Sequence, residues 1–310
     1  MLPITINLPD NFLSEETRCD YLITRKYKEL WAVELDLLSV FDKACKRLNI
    51  QYFAIGGTML GAVRHNGMIP WDDDIDVAML RQDYEKLCEN ASMFEHPYFL
   101  QTEFTDNGSL RGHAQLRNSL TTGILQGEVS FRFPFNQGIF IDIFPLDNLP
   151  DNVDERKDFI RQLKSFHKQL MRIRNISSYN YTTNSIIKRM ICFLLTPGLR
   201  VVDKHFNLNH KLYVRYEKLM KKYNTLDTKE VGILALTGAL DRFCWSKSVF
   251  TEKISNWPFE MMEVPVPDAY DSILKKTYGN WHELIKGGSY HGGLIFDVHK
   301  SYKVFFKENL

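Results

Sequence analysis

Hydrophobic and polar positions alternate along the first half of the chain with two distinct periods. Between 28 and 49, Leu30, Val33, Leu37, Phe41, Ala44 and Leu48 recur at three- and four-residue steps with charges between them, which predicts a helix covering a sheet. A short apolar run at 52–55, closed by Gly56 and Gly57, predicts a first central strand entering a turn, followed by a short helix over 58–64. A second strand is expected at 74–79, a helix at 82–91, and further strands at 98–102 and 113–119. In the last of these, Ala114 and Leu116 face one way while His113, Gln115 and Arg117 face the other, giving a half-buried strand with one polar wall. The run at 138–146 (GIFIDIFPL) reads as a buried strand carrying one carboxylate, Asp142, at its middle.

After Pro150 the pattern changes to long charged helical segments at about 152–175 and 207–224, flanking an apolar stretch at 186–202. Lys188, Arg189, Pro197 and Arg200 interrupt that stretch. It reads either as a basic amphipathic helix on a membrane surface or as a buried helix ended by Thr196, Pro197 and Gly198, and the second, core or partner contact, is preferred. Residues 259–266 predict a short strand, and 269–278 a helix ending at Gly279. These elements predict an α/β protein of the α+β kind, a mixed sheet flanked by helices with a helical extension. The expected division is a core with its N-terminal helix at 1–150, a helical acceptor-side subdomain at 151–230, and a segment at 231–310 that packs back on the core.

A hydrophobic content of 44% and a charged content of 25% exclude disordered and fibrous classes. The net charge of +1 supplies no global field for nucleic acid, so anion recognition has to be local. Five cysteines without CxxC spacing suggest neither a disulfide framework nor a zinc site and point to a reducing cytoplasm. The N-terminus lacks a secretory pattern, and no apolar run is long enough to cross a bilayer.

The chemistry concentrates at 53–80. In an extended strand, Asp74 and Asp76, straddling Ile75, present their carboxylates on one face. Asp142, in its apolar strand, needs a cation or a hydrogen-bonded partner. Three such acids form a hard-oxygen site that selects Mg²⁺ or Mn²⁺. Gly56 and Gly57 allow close approach of backbone to a ligand and leave amides open at a helix start, which suits phosphate, though the pair alone equally marks a tight turn. Arg64 would grip phosphate oxygens, and Arg117 either holds a phosphate in the cleft or lies on a solvated sheet face. Together these are the parts of a phosphoryl or nucleotidyl transfer site, with Asp142 also a candidate general base. Asp72 and Asp73 are expected in the turn before the strand, solvated or capping, and Trp71 under the loop; His65 is open between a ligand and a structural hydrogen bond.

At these residues the chain resembles the LicD family, which includes the LicD-like domains of the fukutin-related proteins. GGTMLGAVRHNGMIPWDDDIDVAML carries the resemblance, which continues through HAQLRNSLTT, GIFIDIFPLD and WPFEMMEVPVPDAYDSILKKTYGNW. It implies a nucleotidyltransferase-like fold. It also implies metal-dependent transfer of a phosphorylated alcohol, in bacterial members phosphocholine from CDP-choline, onto a sugar of a surface glycan such as lipopolysaccharide, teichoic acid or capsule, or its lipid-linked precursor. Carried over, Asp74, Asp76 and Asp142 are the catalytic and metal-binding acids. Gly56, Gly57, Thr58, Arg64, His65 and Arg117 contact the phosphates or nucleotide. For a choline ammonium, Tyr278, Trp281, Tyr290 and Trp245 are candidate rings, with His291 in the same glycine-rich tail. A peripheral membrane contact on the inner face stays open. The competing reading is a nucleotidyltransferase moving NMP to a small molecule or protein; a non-enzymatic module would be expected to have lost one of the three acids.

Overall fold

A short hairpin of β1 (Glu16–Arg18) and β2 (Tyr21–Ile23) leads into α1 (Arg25–Leu48) in the computed structural model, which describes residues 1–131, 133, 135–178, 185–287 and 293–309. The three- and four-residue spacing does what it predicts: Leu30, Val33, Leu37 and Phe41 are fully buried against the sheet. The helix stops where Asn49 turns left-handed at φ 49° and its amide caps the Cys45 and Lys46 carbonyls. Asp36 of α1 accepts the amides of Thr5 and Ile6 at 2.8 and 3.0 Å and so straps the N-terminal segment to the helix.

The sheet is assembled from β3 (Phe53–Ala54), which precedes α2 (Gly56–His65), β4 (Asp76–Leu80) before α3 (Arg81–Glu89), and the strands β5 (Tyr98–Gln101) and β6 (Ala114–Asn118). After β7 (Thr122–Leu125) comes β8 (Ile139–Leu149), the hub. It pairs in parallel with β4 from Asp142 to Leu146, antiparallel with β6 from Ile139 to Ile143, and antiparallel with β9 (Glu230–Gly232) from Asp147 to Leu149; β10 (Cys244–Ser246) completes a mixed, seven-stranded sheet. The expected α+β class with a mixed sheet flanked by helices is what the chain adopts. Asp74 differs from expectation, lying in extended chain just before β4 instead of within it.

The three long helices α4 (Val153–Ser177), α5 (Ile186–Phe206) and α6 (Leu208–Met220) follow β8. Asn152 caps α4 by accepting the amides of Asp154 and Glu155, both at 3.0 Å. Phe159 and Leu163 of α4 meet Tyr213, Tyr216 and Met220 of α6 in a second core that also takes in Leu149 and Leu234. Beside it, Arg81 forms a buried two-pronged pair with Asp147, both contacts 2.7 Å, and Asn224 donates to the same carboxylate at 2.6 Å. The reading of 186–202 as a core helix ended at Thr196–Gly198 is overturned: α5 runs through Pro197 to Phe206, and Thr196 is its one buried residue. Proline withholds one amide from the Phe193 carbonyl, but that part of the helix is exposed, so solvent can satisfy the oxygen.

The C-terminal part forms a hairpin, β11 (Ile254–Phe259) with β12 (Met262–Pro267), where the sequence suggests one strand. Then come α7 (Tyr270–Tyr278), which ends at Gly279 as expected, β13 (Leu294–Asp297), which pairs with β7, and α8 (Tyr302–Asn309).

Candidate active site

The parallel register of β4 on β8 sets Asp76 directly beside Asp142, and the antiparallel register of β6 on β8 sets Gln115 on the other side of Asp142. One row across three strands therefore reads Asp76, Asp142, Gln115, with side chains on the same face. Ile75, fully buried, points the other way, and its carbonyl accepts the Asp142 amide at 2.9 Å. The period-two expectation for Asp74 and Asp76 thus holds even though only Asp76 is in the strand proper: both line one cavity of about 490 Å³.

The Gly56–Gly57 turn lines the same cavity. Gly56 has φ +54°, and a Cβ there would lie 3.0 Å from Asp76 Oδ2; a Cβ on Gly57 would lie 2.4 Å from Asp72 Oδ2. Glycine is required at both positions because the carboxylates come up against bare backbone. Ile55 at the N-cap of α2 offers no side-chain cap, so the first-turn amides face the acid-lined space with the positive end of the helix dipole.

Asp142 receives the His113 Nε2 contact at 3.1 Å and the Gln115 amide at 2.7 Å. Burial raises its pKa, but His113, Gln115 and the Arg111 charge outweigh burial and hold it below the usual carboxylate range. Asp76 is pushed well up by burial and then by Asp74, Asp142 and Asp72. Asp72 goes up for the same reasons, burial first and then Asp74 and Asp73. Among the described residues, the carboxylate oxygens of Asp72, Asp73 and Asp74 lie within 4.8 Å of one another. The acidic turn is therefore not a solvated cap: Asp72 lines the cavity and Asp73 is buried, accepting the Leu294 amide at 3.1 Å. Below it, Glu34 of α1 is fully buried, has no hydrogen-bond partner for either oxygen among the described residues, and is pushed up by burial and by the four aspartates of the turn and β4.

Arg64 lines the cavity; its Nη1 donates to the carbonyls of Trp281 at 2.8 Å and Glu283 at 3.2 Å, which ties α2 to the C-terminal segment. Tyr278 turns its hydroxyl toward Gly56. It forms an aromatic wall with Trp71, Phe144, Phe243 and Trp281, so Trp71 faces the cavity and does not merely pack under the loop. Trp281 is also structural, its indole donating to Asp271 at 3.1 Å.

Four sequence-based expectations fall elsewhere. Thr58 is buried behind the turn, and its hydroxyl accepts the Asp76 amide at 2.8 Å, so it positions the acid and does not face the cavity. His65 accepts from Arg64 Nε at 2.9 Å, and burial, then Arg64 and Arg18, lower its pKa to about 4, which keeps it neutral at pH 7. Arg117 is one strand step too deep: it is 1% exposed, donating to Gln101 Oε1 at 2.7 Å, to the Gly138 carbonyl at 2.6 Å and to Gln115 Oε1, beneath the cavity floor. Trp245 is buried against Phe250 and Phe243 and does not itself line the cavity. His291 and Tyr290 lie outside the described residues.

Besides Arg64, Arg111 lines the cavity, held at 2.5 Å by Glu128. The same alternation that singles out His113, Gln115 and Arg117 extends back to Arg111, so the signal is present two residues earlier on the polar wall.

Residues 49–176 match the family model described as LicD/FKTN/FKRP, nucleotidyltransferase domain. The resemblance to the LicD family read from the motif is borne out by this match. The chain is 26% identical to the lipopolysaccharide cholinephosphotransferase LicD of Haemophilus influenzae over 269 residues, 83% of this chain and 91% of that protein. It is also 47% identical to an uncharacterized protein of Rickettsia prowazekii over 84 residues, 27% of this chain and 30% of that one.

Proposed function

We propose that this protein transfers phosphocholine from CDP-choline to a sugar hydroxyl of lipopolysaccharide or of a lipid-linked glycan precursor, with Mg²⁺ or Mn²⁺ as cofactor. The observation that carries this reading is the side-by-side pairing of Asp76 and Asp142, with the Gly56–Gly57 turn close against Asp76. The similarity to the Haemophilus influenzae cholinephosphotransferase along nearly its whole length supports it.

The donor set fits a hard divalent cation. Asp72, Asp74, Asp76 and Asp142 offer only carboxylate oxygens, and their mutual repulsion, expressed in the raised pKa values of Asp72 and Asp76, is relieved by positive charge. When bound, such an ion neutralises phosphate charge at the transferring group. The chain's own groups do the rest. The open amides of α2 together with Arg64 and Arg111 bind diphosphate oxygens, and the aromatic wall receives a quaternary ammonium. Asp142, kept ionised by His113 and Gln115, is in the state a general base needs to take the proton of the acceptor hydroxyl. Five free cysteines support a cytoplasmic setting.

Incubation with CDP-choline, Mg²⁺ and a candidate glycan tests the reading by CMP release and a phosphocholine-labelled acceptor. Pyrophosphate release from an NTP with a nucleotidylated product would instead establish the nucleotidyltransferase reading. Absence of metal-dependent turnover with any CDP-alcohol would overturn the proposal.

A further inference from the structure

The helix α5 rests on its neighbours along one face only. Cys192, Thr196, Leu199 and Asp203 follow one another at four-, three- and four-residue steps, and these are the positions drawn in from solvent. Thr196 docks the helix by reaching the Ile176 carbonyl of α4 at 3.0 Å. On the opposite face Ile187, Met190, Ile191, Leu194 and Val201 repeat at the same period with nothing over them among the described residues; Ile187 is 72% and Leu194 74% exposed. A continuous apolar stripe of this length on a surface helix marks an interaction face.

Charge identifies the occupant. Lys188, Arg189 and Lys204 are exposed on the same helix. The segment 153–220 holds fourteen Lys and Arg against five Asp and Glu, a net of +9 in a chain whose total is +1, so the rest of the protein is net −8. A second copy docked two-fold through this same face would bring another equally basic unit against the first, whereas a surface of anionic phospholipid is complementary. No helix among the described residues is long and apolar enough to cross a membrane, which leaves the interface plane as the place for such a stripe.

We propose that α5 is an interfacial anchor: its apolar stripe inserts among the acyl chains of an anionic bilayer while the flanking lysines and arginines meet the headgroups. This is independent of which group the active site transfers. The anchor is tied to that site, because Arg174 of α4, two residues before Ile176, meets Glu128 at 3.5 Å, and Glu128 holds the cavity's Arg111. Docking therefore acts on the α4 turn that supports the anion-binding wall.

Vesicle flotation of the full chain tests the proposal, with phosphatidylcholine alone and with phosphatidylcholine mixed with phosphatidylglycerol. The expected result is partitioning into the anionic vesicles at least about tenfold above that into the neutral ones, weakened by salt. An Ile187→Glu/Leu194→Glu variant, altered only at exposed positions, should float at least about tenfold less while keeping its circular dichroism and melting temperature. A Phe193→Trp variant should show tryptophan emission quenched by lipids brominated on their acyl chains, a signature that adsorption by charge alone does not give. Three results would overturn the proposal: wild-type protein staying with the soluble fraction in both mixtures; equal flotation of the double variant without acyl-chain quenching; or a solution dimer that Leu194→Glu converts to monomer, which would make a second copy the cover.

Discussion

Asp76 and Asp142 are neighbours in register on the parallel strands β4 and β8, yet their surroundings drive their pKa values apart. Both are withdrawn from water, which raises both. For Asp142 the His113 ring, the Gln115 amide and Arg111 reverse that effect; for Asp76 the neighbouring carboxylates Asp74, Asp142 and Asp72 add to it. Two acids of the same type, a strand apart, are thereby given different tasks. One is held in its charged form by its hydrogen-bonded neighbours, and the other is disfavoured in that form by the acids around it.

Replacing either acid by its amide tests that division. On the proposed function, Asp142→Asn and Asp76→Asn should each lower transfer by on the order of 10³-fold, since each removes a charge that the proposal assigns to the reacting phosphate or the acceptor. Asp76→Asn should also raise the melting temperature of the metal-free protein, because it removes one carboxylate from a mutually repelling group, whereas Asp142→Asn should not, because it keeps the Oδ1 acceptor and loses the charge that His113, Gln115 and Arg111 stabilise. CMP release and calorimetry of the two variants check this; a near-wild-type rate in either contradicts the site assignment.

Thr58 acts through Asp76. Its hydroxyl accepts the Asp76 amide in a place where no solvent replaces it. Thr58→Val keeps the shape and leaves that amide unsatisfied, a cost of about 1–3 kcal/mol, with kcat falling more than KM rises. Thr58→Ser should restore both quantities, which a simple packing role would not predict.

How much of this was legible beforehand depended on whether the deciding force was local. The Gly56–Gly57 turn, the alternation at Asp74 and Asp76 and the lone acid of β8 are written in short-range spacing, and the structure brings all of them to one cavity. Arg117 and Arg111 have the same local signature, and only the depth of the strand in the sheet separates them: β5 supplies Gln101 to intercept Arg117, a contact made by a strand paired at long range. The α5 stretch misled for a related reason. Apolar residues mean core only if something covers them, and coverage is set by how α4 and α6 pack on each other, which no local window contains.

The two arginines should accordingly fail in different assays. Arg117→Met leaves Gln101, Gln115 and the Gly138 carbonyl without their donor in a closed interior, and should cost about 1–3 kcal/mol in denaturant unfolding while the folded fraction keeps its KM for the donor. Arg111→Met should lose less stability and raise the donor KM by about tenfold or more, since its guanidinium lines the cavity.

His65 gives a pH dependence of definite sign. Its pKa is lowered from 6.5 to about 4, first by burial and then by Arg64 and Arg18, so between those values the unfolded chain binds a proton that the folded chain refuses. The stability this contributes is fully present above pH 6.5 and is lost progressively as pH falls toward 4. His65→Gln keeps an acceptor for Arg64 Nε and removes the titration. Unfolding curves taken across that interval should therefore decline less steeply for the variant than for the wild type, with the two converging in slope above pH 7, while the donor KM stays within about twofold. A parallel decline in both proteins would mean that His65 titrates normally in the fold, and a large rise in KM would return it to the substrate-binding residues.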